Sequence, residues 1–269
     1  MSKLIPLTER ELRIRFKAFS NIILQLIYPV VFMVILTRSL ENLVKTINYY
    51  ELEIPYLLFV FPGIIIITTL ISAAMTGVSL FIDKREGMMM ELIIAPKTSF
   101  LEYISSKIIS STTISFLQTV IISLLFIYLA ISTGLLNAMF SLYTLVLFLK
   151  AIIIGLFSSI LLNFLSISLA ILIRSEEAFS ALFSIMIFLL TYMSSVLYPL
   201  NALPSDIRGL AFFNPVTVIT EISRRTILNL DLLNPETSFY ILLYVCYLMF
   251  FMLIQTIVEK KWAWRLYVD

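Results

Sequence analysis

Long runs without a charged residue dominate the pattern of this sequence. The mostly apolar windows span residues 18–37, 54–82, 108–149, 151–173, 178–205 and 237–258. A helix needs about 20 predominantly apolar residues to cross a bilayer, and every window is long enough. The pattern therefore predicts an all-α, polytopic membrane protein with six transmembrane helices.

The third window is long enough to raise the question of two spans. We divide it near Gly134 and Asn137, so that it holds the third helix and the approach to the fourth. Lys150 is then expected inside the fourth helix, near one end, where a long side chain can reach the interface.

Composition supports a membrane protein. Of the 269 residues, 60% are hydrophobic and 13% are charged, whereas soluble domains carry roughly 25% charged residues. A net charge of +2 gives no indication of a nucleic-acid partner. The N-terminus lacks a basic segment followed by a short apolar core and a cleavage site, so we expect no cleaved signal peptide.

Lysine and arginine in the short connections predict the orientation. With the N-terminus in the cytoplasm, thirteen of them fall inside and five outside. We therefore expect a multi-pass cell-membrane protein with both termini in the cytoplasm. No repeat or linker divides the chain, which indicates a single domain over residues 1–269.

The sequence offers little chemistry for catalysis. Histidine is absent and Cys246 is the single cysteine. Serine–histidine–aspartate triads, histidine zinc motifs, internal disulfides and cysteine metal clusters are therefore excluded. We expect no catalytic, cofactor-binding or metal-binding residue in this chain.

Residues 1–19 are predicted to form a short amphipathic helix before the first span. Thr8 and Glu11 have the spacing of a capping box, so the helix is expected to begin there. The apolar side chains Leu12, Phe16 and Phe19 lie on one face, and the basic Arg10, Arg13 and Lys17 on another. Such a helix suits the headgroup layer; the alternative is a basic flank that only sets topology.

Residues 83–103 connect the second and third spans in the cytoplasm. Charged residues are followed by Gly87, a short apolar run and Pro96, a pattern typical of a turn and a brief helix. Ser99 and Glu102 form a second capping box, which opens the third span. The methionines at 88–90 suit an adaptable protein contact, or they pack against the lipid interface.

These features resemble the ABC-2 type transporter permeases. Residues 83–96 resemble the arginine–acid–glycine–helix–proline loop of that family. Phe61-Pro62-Gly63 opens the second span, as in the family. Residues 198–204 lead to an asparagine–proline pair and a glutamate–arginine helix, as in the family's extracellular segment. One departure is that Met90 occupies the family's glutamate position, and the acid follows as Glu91.

The resemblance implies a transporter of two permease subunits, identical or homologous, with two cytoplasmic ABC ATPase subunits that bind ATP and Mg. Residues 83–103 would form the coupling helix that contacts the ATPase, and residues 1–19 the connecting helix beside it. The implied contact residues are Arg85, Glu86, Gly87, Met88, Met89, Met90, Glu91, Leu92 and Pro96, together with Arg10 and Arg13. Since none of the six glycines is followed by lysine, the sequence holds no GxxxxGK[ST] phosphate loop.

Small polar residues recur at near-helical spacing on two spans. They are Thr68, Ser72, Thr76 and Ser79 on the second span, and Ser180, Ser184, Thr191 and Ser195 on the fifth. Such residues either allow close helix packing or line a cavity. In the resembling family these spans face the dimer axis, so both interpretations stay open.

Residues 199–236 are expected outside the cell as re-entrant helices, because the apolar stretch 209–221 is too short to cross a bilayer. The segment could close the exit of the path or serve as an interfacial cap. The candidate gate residues are Pro199, Pro204, Asn214, Pro215, Glu221 and Arg224.

Other functions remain as alternatives. A proton-coupled secondary transporter usually needs an intramembrane carboxylate or histidine, and none is expected within the spans. A membrane enzyme has few candidate residues, whereas a structural assembly subunit is harder to exclude. The sequence does not identify the cargo, although spans without acids favour an uncharged or amphipathic one.

Overall fold

The computed structural model describes residues 4–37, 39–40, 44–50, 52–86, 98–136, 141–231 and 234–268. The chain begins with α1 (Leu4–Lys17) and α2 (Phe19–Val31), and α2 continues as a π-helix (Phe32–Thr37). A hairpin of β1 (Thr46–Tyr49) and β2 (Leu52–Pro55) follows. The remaining helices are α3 (Tyr56–Arg85), α4 (Phe100–Ser132), α5 (Leu142–Leu172), α6 (Glu176–Tyr192), a 3-10 turn (Leu200–Ala202), α7 (Ser205–Phe212), α8 (Pro215–Ile227) and α9 (Pro235–Val268).

Helix α3 is the centre of the fold. It packs against α4, α5, α6 and α8, and 89% of its most apolar stretch is buried, against 11% for α9. A helix that is apolar on all sides is stable when other helices surround it. The other helices are therefore arranged around α3, whereas α9 leaves most of its surface for lipid.

Among the residues that the structure describes, four helices are long and apolar enough to cross a membrane: α3, α4, α5 and the Pro235–Val258 part of α9. The pair α1–α2, bent by 72°, counts as a fifth if it is one broken span. Helix α6 has 17 residues, at the lower limit of the roughly 17 to 25 that a span requires. A predominantly helical membrane protein is thus confirmed, while the number of six spans stays a prediction.

Two local predictions are confirmed at the ends of α4. Ser99 accepts a hydrogen bond from the Glu102 backbone N–H, and Glu102 accepts one in return from the Ser99 backbone N–H. At the other end Gly134 has a φ of +77°, a left-handed conformation that glycine adopts at little cost. The division of the third window at this turn is therefore correct, and Lys150 lies within α5.

The predicted helix start at Thr8 is wrong. Helix α1 already includes Leu4, and the Thr8 hydroxyl donates to the Leu4 carbonyl at 2.8 Å. Glu11 is 3% exposed and points into the protein. Thr8 and Glu11 have the spacing of a capping box, but both make other contacts and do not cap the helix.

The hairpin corrects the all-α prediction. Strands β1 and β2 pair antiparallel, with Thr46 opposite Pro55 and Tyr49 opposite Leu52. Tyr50 follows β1 with a φ of 48°. Tyr49 and Ile54 are buried against the core at the Tyr56 end of α3. The β-branched and aromatic residues of these strands carried the signal, but each strand is only four residues long.

The fifth predicted window also ends earlier than expected. Helix α6 stops at Tyr192, and residues 193–199 follow without regular helix. The Arg224 guanidinium donates a hydrogen bond to the Ser195 carbonyl at 2.7 Å. A side chain from α8 thus satisfies a backbone acceptor beyond the end of α6.

Close packing between α3 and α6 depends on Gly77. A Cβ atom at this position would lie 2.2 Å from Cζ of Phe179 and 2.7 Å from Oγ of Ser166. We predict that Gly77→Ala destabilises the chain by about 1 to 3 kcal/mol through overpacking. The loss should appear as a lower apparent melting temperature in detergent.

Gly209 provides the matched control, because a Cβ atom there meets no heavy atom within 4 Å. Gly209→Ala should leave the melting temperature unchanged or raise it slightly. Equal melting temperatures for Gly77→Ala and the unmodified chain would contradict the central position of α3.

Candidate functional site

A buried group of charged side chains lies at the Arg85 end of α3, and we call it the Asp83 cluster. It consists of Arg10, Glu11, Asp83, Tyr103 and Lys107. Lys107 Nζ lies 2.7 Å from Oδ2 of Asp83 and 3.1 Å from Oε2 of Glu11. Arg10 pairs with Glu11 at 2.7 Å and lies 3.6 Å from Asp83. The Tyr103 hydroxyl donates to Asp83 at 2.7 Å.

This cluster connects three helices. Glu11 belongs to α1, Asp83 to the last turn of α3, and Lys107 to the first turns of α4. The Lys107 side chain is 1% exposed, and a buried charge is costly unless an opposite charge and hydrogen bonds compensate it. Lys107 has both, since it also donates to Ser79. Separation of α1 from α3 and α4 would therefore leave charges buried without partners.

A second buried cluster, the Glu221 cluster, lies at the Tyr56 end of α3. Arg224 pairs with Glu221 at 3.0 Å and donates to the Phe59 carbonyl at 3.1 Å. Its guanidinium lies over the Phe59 ring at 3.6 Å, a cation–π geometry. The Tyr49 hydroxyl donates to Glu221 at 2.7 Å. These bonds, with that to Ser195, join the hairpin, α3, α8 and the segment after α6.

An adjoining ion pair connects α8 to the start of α9. Arg225 pairs with Glu236 at 2.7 Å and also donates to the hydroxyls of Tyr50 and Thr237. Burial raises the pKa of Tyr50 to about 12, and it raises the pKa of Tyr49 further. Both phenols therefore remain protonated hydrogen-bond donors at neutral pH.

A cavity of about 820 Å³ opens beside these side chains. It lies between the hairpin, the 3-10 turn, α7 and the start of α9. Its wall is mainly apolar and includes five aromatic residues, and Arg208, Glu221 and Glu236 contribute charged groups. The aromatic residues are Tyr49, Tyr50, Phe212, Phe239 and Tyr240. This composition suits an amphipathic molecule.

Lys150 binds the C-terminal end of α8. Its ammonium donates to the Thr226 carbonyl at 2.6 Å and to the side chain of Asn229. The Thr226 carbonyl lies at the helix C-terminus, where carbonyls lack helical partners. Lys150 therefore joins α5 to the end of α8.

The predicted ATPase-contact residues are only partly described. Arg85 is exposed and pairs with Glu176 of α6 at 3.2 Å, and Glu86 is exposed beside it. Arg10 belongs to the Asp83 cluster, whereas Arg13 pairs with Glu9 on the exposed face of α1. The other proposed contacts, Gly87, Met88, Met89, Met90, Glu91, Leu92 and Pro96, lie outside the described residues.

The predicted path residues of α3 lie inside the subunit. Thr68, Ser72 and Thr76 are fully buried. The Thr76 hydroxyl bonds that of Ser111 on α4 at 2.7 Å, and Ser79 contacts Lys107. These residues pack α3 against its neighbours in the same chain. Their role in transport stays a prediction.

The predicted path residues of the fifth span have mixed surroundings. Thr191 and Ser195 are buried. Ser184 is exposed on α6, and its hydroxyl donates to the Ser180 carbonyl at 2.7 Å. An exposed position on α6 is accessible to lipid or to another subunit.

The predicted gate residues have defined local positions. Asn214 caps α8 by accepting from the Val216 backbone N–H at 2.9 Å, and Pro215 occupies the first turn, where its missing N–H is no loss. Pro199 and Pro204 directly precede the 3-10 turn and α7. Glu221 and Arg224 form the buried pair described above. Short helices are therefore present in residues 199–236, whereas their entry into the membrane stays a prediction.

Sequence reasoning did not predict that two acids are buried in ion pairs. Asp83 lies within α3, one residue beyond the charge-free window, and Glu221 lies in α8. Both are buried. Because Asp83 lies just beyond the predicted span of residues 54–82, the expectation of spans without acids stays a prediction. One signal for the ion pair was available in the sequence. Asp83 and Lys107 stand at the ends of two apolar windows that a loop connects. Among the described residues, no three acidic or cysteine side chains gather as a metal site.

Comparison with known proteins agrees with this architecture. A curated protein of Cyanophora paradoxa that is named as a transport permease, ycf38, is 29% identical over 171 residues. The aligned region covers 64% of this chain and 56% of that relative, so the match extends over little more than half of the relative's length.

The match to a family is more extensive. Residues 3–228, which include α1, the hairpin, α3 to α8 and both buried clusters, match the model of the ABC-2 type transporter membrane family. The chain therefore belongs to the ABC-2 type transporter family.

Proposed function

We propose that this chain is the membrane-spanning permease subunit of an ATP-driven exporter. Two permease subunits would enclose the path, and two separate ABC ATPase subunits would bind ATP and Mg. The observation that carries the proposal is the Asp83 cluster, which joins α1, α3 and α4 beside the loop that connects α3 to α4.

The loop between α3 and α4 is well placed to receive force from an ATPase. Helix α3 ends at Arg85 and α4 begins at Phe100, and the ion pair between Asp83 and Lys107 places both of these helix ends at the same end of the helical core. Asp83 lies two residues before the end of α3, and Lys107 lies seven residues after the start of α4. Their side chains form an ion pair. A displacement of the loop would therefore move α1, α3 and α4 as one body.

A path between two subunits fits the burial of α3. Its polar residues Thr68, Ser72 and Thr76 are fully buried within the chain, and Thr76 bonds Ser111 of α4. A route along α3 would have to break this packing. By contrast, α2 and α6 carry large exposed apolar side chains, such as Ile27 and Phe188. A second copy could cover these faces. With the α1–α2 pair and α6 counted as spans, each subunit would then have six.

With both termini in the cytoplasm, the Glu221 cluster lies on the outer side of the membrane. It fixes α8 to α3 and to the hairpin, so the gate residues belong to a rigid outer layer. The aromatic cavity next to it is open to amphipathic molecules. We propose that α7 and α8 form the outer closure of the path.

Proton-coupled transport has less support, although the buried acids reopen the question. Asp83 contacts Lys107, Arg10 and a tyrosine hydroxyl, and Glu221 contacts Arg224 and a tyrosine hydroxyl. Both acids are therefore occupied by contacts that join helices, and a proton carrier would have to break these contacts.

The orientation can be tested with topology reporters. A reporter that is active only in the cytoplasm, fused after Asp269, should be active because basic residues concentrate on that side. The same reporter inserted between β1 and β2 should be silent. Activity of the reporter inserted in the hairpin would show that the orientation is reversed and that the Asp83 cluster lies on the side away from the ATPase.

The coupling loop can be tested at its methionines. The double substitution Met88→Asp, Met89→Asp should preserve membrane insertion but abolish transport and reduce co-purification of the ATPase, because apolar contact is replaced by charge. Pull-down of the tagged complex and vesicle transport measure the two effects.

The control is Met88→Leu, Met89→Leu, which retains apolar area and should keep association near that of the unmodified chain. Full transport and full ATPase recovery with the aspartate pair would show that this loop is not the coupling element.

A further inference from the structure

A small crevice lies at the elbow between α1 and α2. These helices meet at an angle of 72°, and the crevice of about 140 Å³ is enclosed by this elbow, α3 and α4. Arg15, Asn21 and Gln25 provide its polar donors, next to the Asp83 cluster. The crevice is separate from the aromatic cavity at the other end of α3.

Arg15 has less compensation than the other basic residues around the crevice. Its Nη2 donates to the Thr76 hydroxyl at 3.3 Å, but its buried Nε has no hydrogen-bond partner among the described residues. None of the ion pairs found in this part of the chain includes Arg15. A guanidinium has five N–H donors in a planar fork and stays ionised. Arg15 therefore presents unused donors to the crevice.

The charges around the crevice do not cancel. Arg10 and Lys107 balance Glu11 and Asp83, which they contact at 2.7 to 3.6 Å. Arg15 adds one further positive charge at this site. Because a buried charge without a counter-charge is unfavourable, an external anion would stabilise the arrangement.

The rest of the wall is apolar. It is formed by Ile14, Ile22, Met75, Val78, Ile82 and Ile114. A ligand with a charged group at Arg15 and a hydrocarbon chain along this wall would satisfy both parts of the crevice.

We propose that this crevice binds an anionic phospholipid. The phosphate accepts hydrogen bonds from Arg15, whose planar donors match phosphate oxygens. An acyl chain lies along the half-buried side chains of Met75 and Val78. The lipid would thus fill the elbow of α1 beside the Asp83 cluster. This binding does not depend on the direction of transport or on the ATPase.

Native mass spectrometry of the full chain tests the proposal. The protein is released from detergent in the presence of phosphatidylglycerol, phosphatidylcholine with the same acyl chains, or inorganic phosphate. Phosphatidylglycerol should bind more tightly than phosphatidylcholine, and Arg15→Gln should weaken its binding on the order of tenfold, as expected for the loss of a charged hydrogen-bond donor. Arg15→Lys keeps the charge but loses the planar donors, so it should retain only part of the binding.

Arg13→Gln is the matched control, since Arg13 lies on the same helix with 69% of its side chain exposed. It should keep the binding of the unmodified chain. Ile14→Trp tests the site without removing its charge, because Ile14 is 44% exposed at the crevice, and a larger side chain there should exclude the lipid.

Three results would overturn the proposal. They are unchanged phosphatidylglycerol binding in both Arg15→Gln and Ile14→Trp, equal binding of phosphatidylcholine by the unmodified chain, and displacement of the lipid by millimolar phosphate. The last result would identify a free anion as the occupant.

Discussion

The enclosure of α3 is the constraint on which the rest of this structure depends. A helix surrounded on all sides in a membrane has little access to water, so each polar group near it needs a partner within the protein. At its two ends this requirement is met by ions: Asp83 with Lys107, and Arg224 with Glu221. Removal of one partner from such a pair is costly, by about 3 to 5 kcal/mol. The two clusters therefore fix which elements can move relative to α3.

This constraint divides the subunit into parts with different mechanical roles. At the Arg85 end, α1 and α4 are bound to α3 next to the loop that we assign to the ATPase. At the Tyr56 end, the hairpin and α8 are bound to α3 next to the aromatic cavity. Packed interiors respond to force by moving as bodies. Motion is therefore more readily accommodated between subunits than along α3, which agrees with a path at the dimer axis.

The sequence predicted the parts of this fold that depend on local patterns. Apolar windows located the long helices, Gly134 located a turn, and Ser99 with Glu102 located the start of α4. The hairpin was missed because its strands are short. The Asp83 cluster was missed because Glu11 and Lys107 are 96 residues apart, and their proximity depends on helix packing. Glu221 and Arg224 were identified by resemblance, but Tyr49 and Phe59, which complete their environment, gave no local signal.

The most direct test of this account measures whether α1 and α4 move together. Nitroxide labels at Arg13→Cys and Leu101→Cys, both at exposed positions, can be placed in a Cys246→Ser background. Pulsed electron paramagnetic resonance of the assembled transporter then reports their distance with and without a non-hydrolysable ATP analogue. With the Asp83 cluster intact, the account predicts one narrow distribution that nucleotide does not shift, and a broader one after Lys107→Met. A shift of several ångströms on nucleotide binding, with the cluster intact, would contradict it.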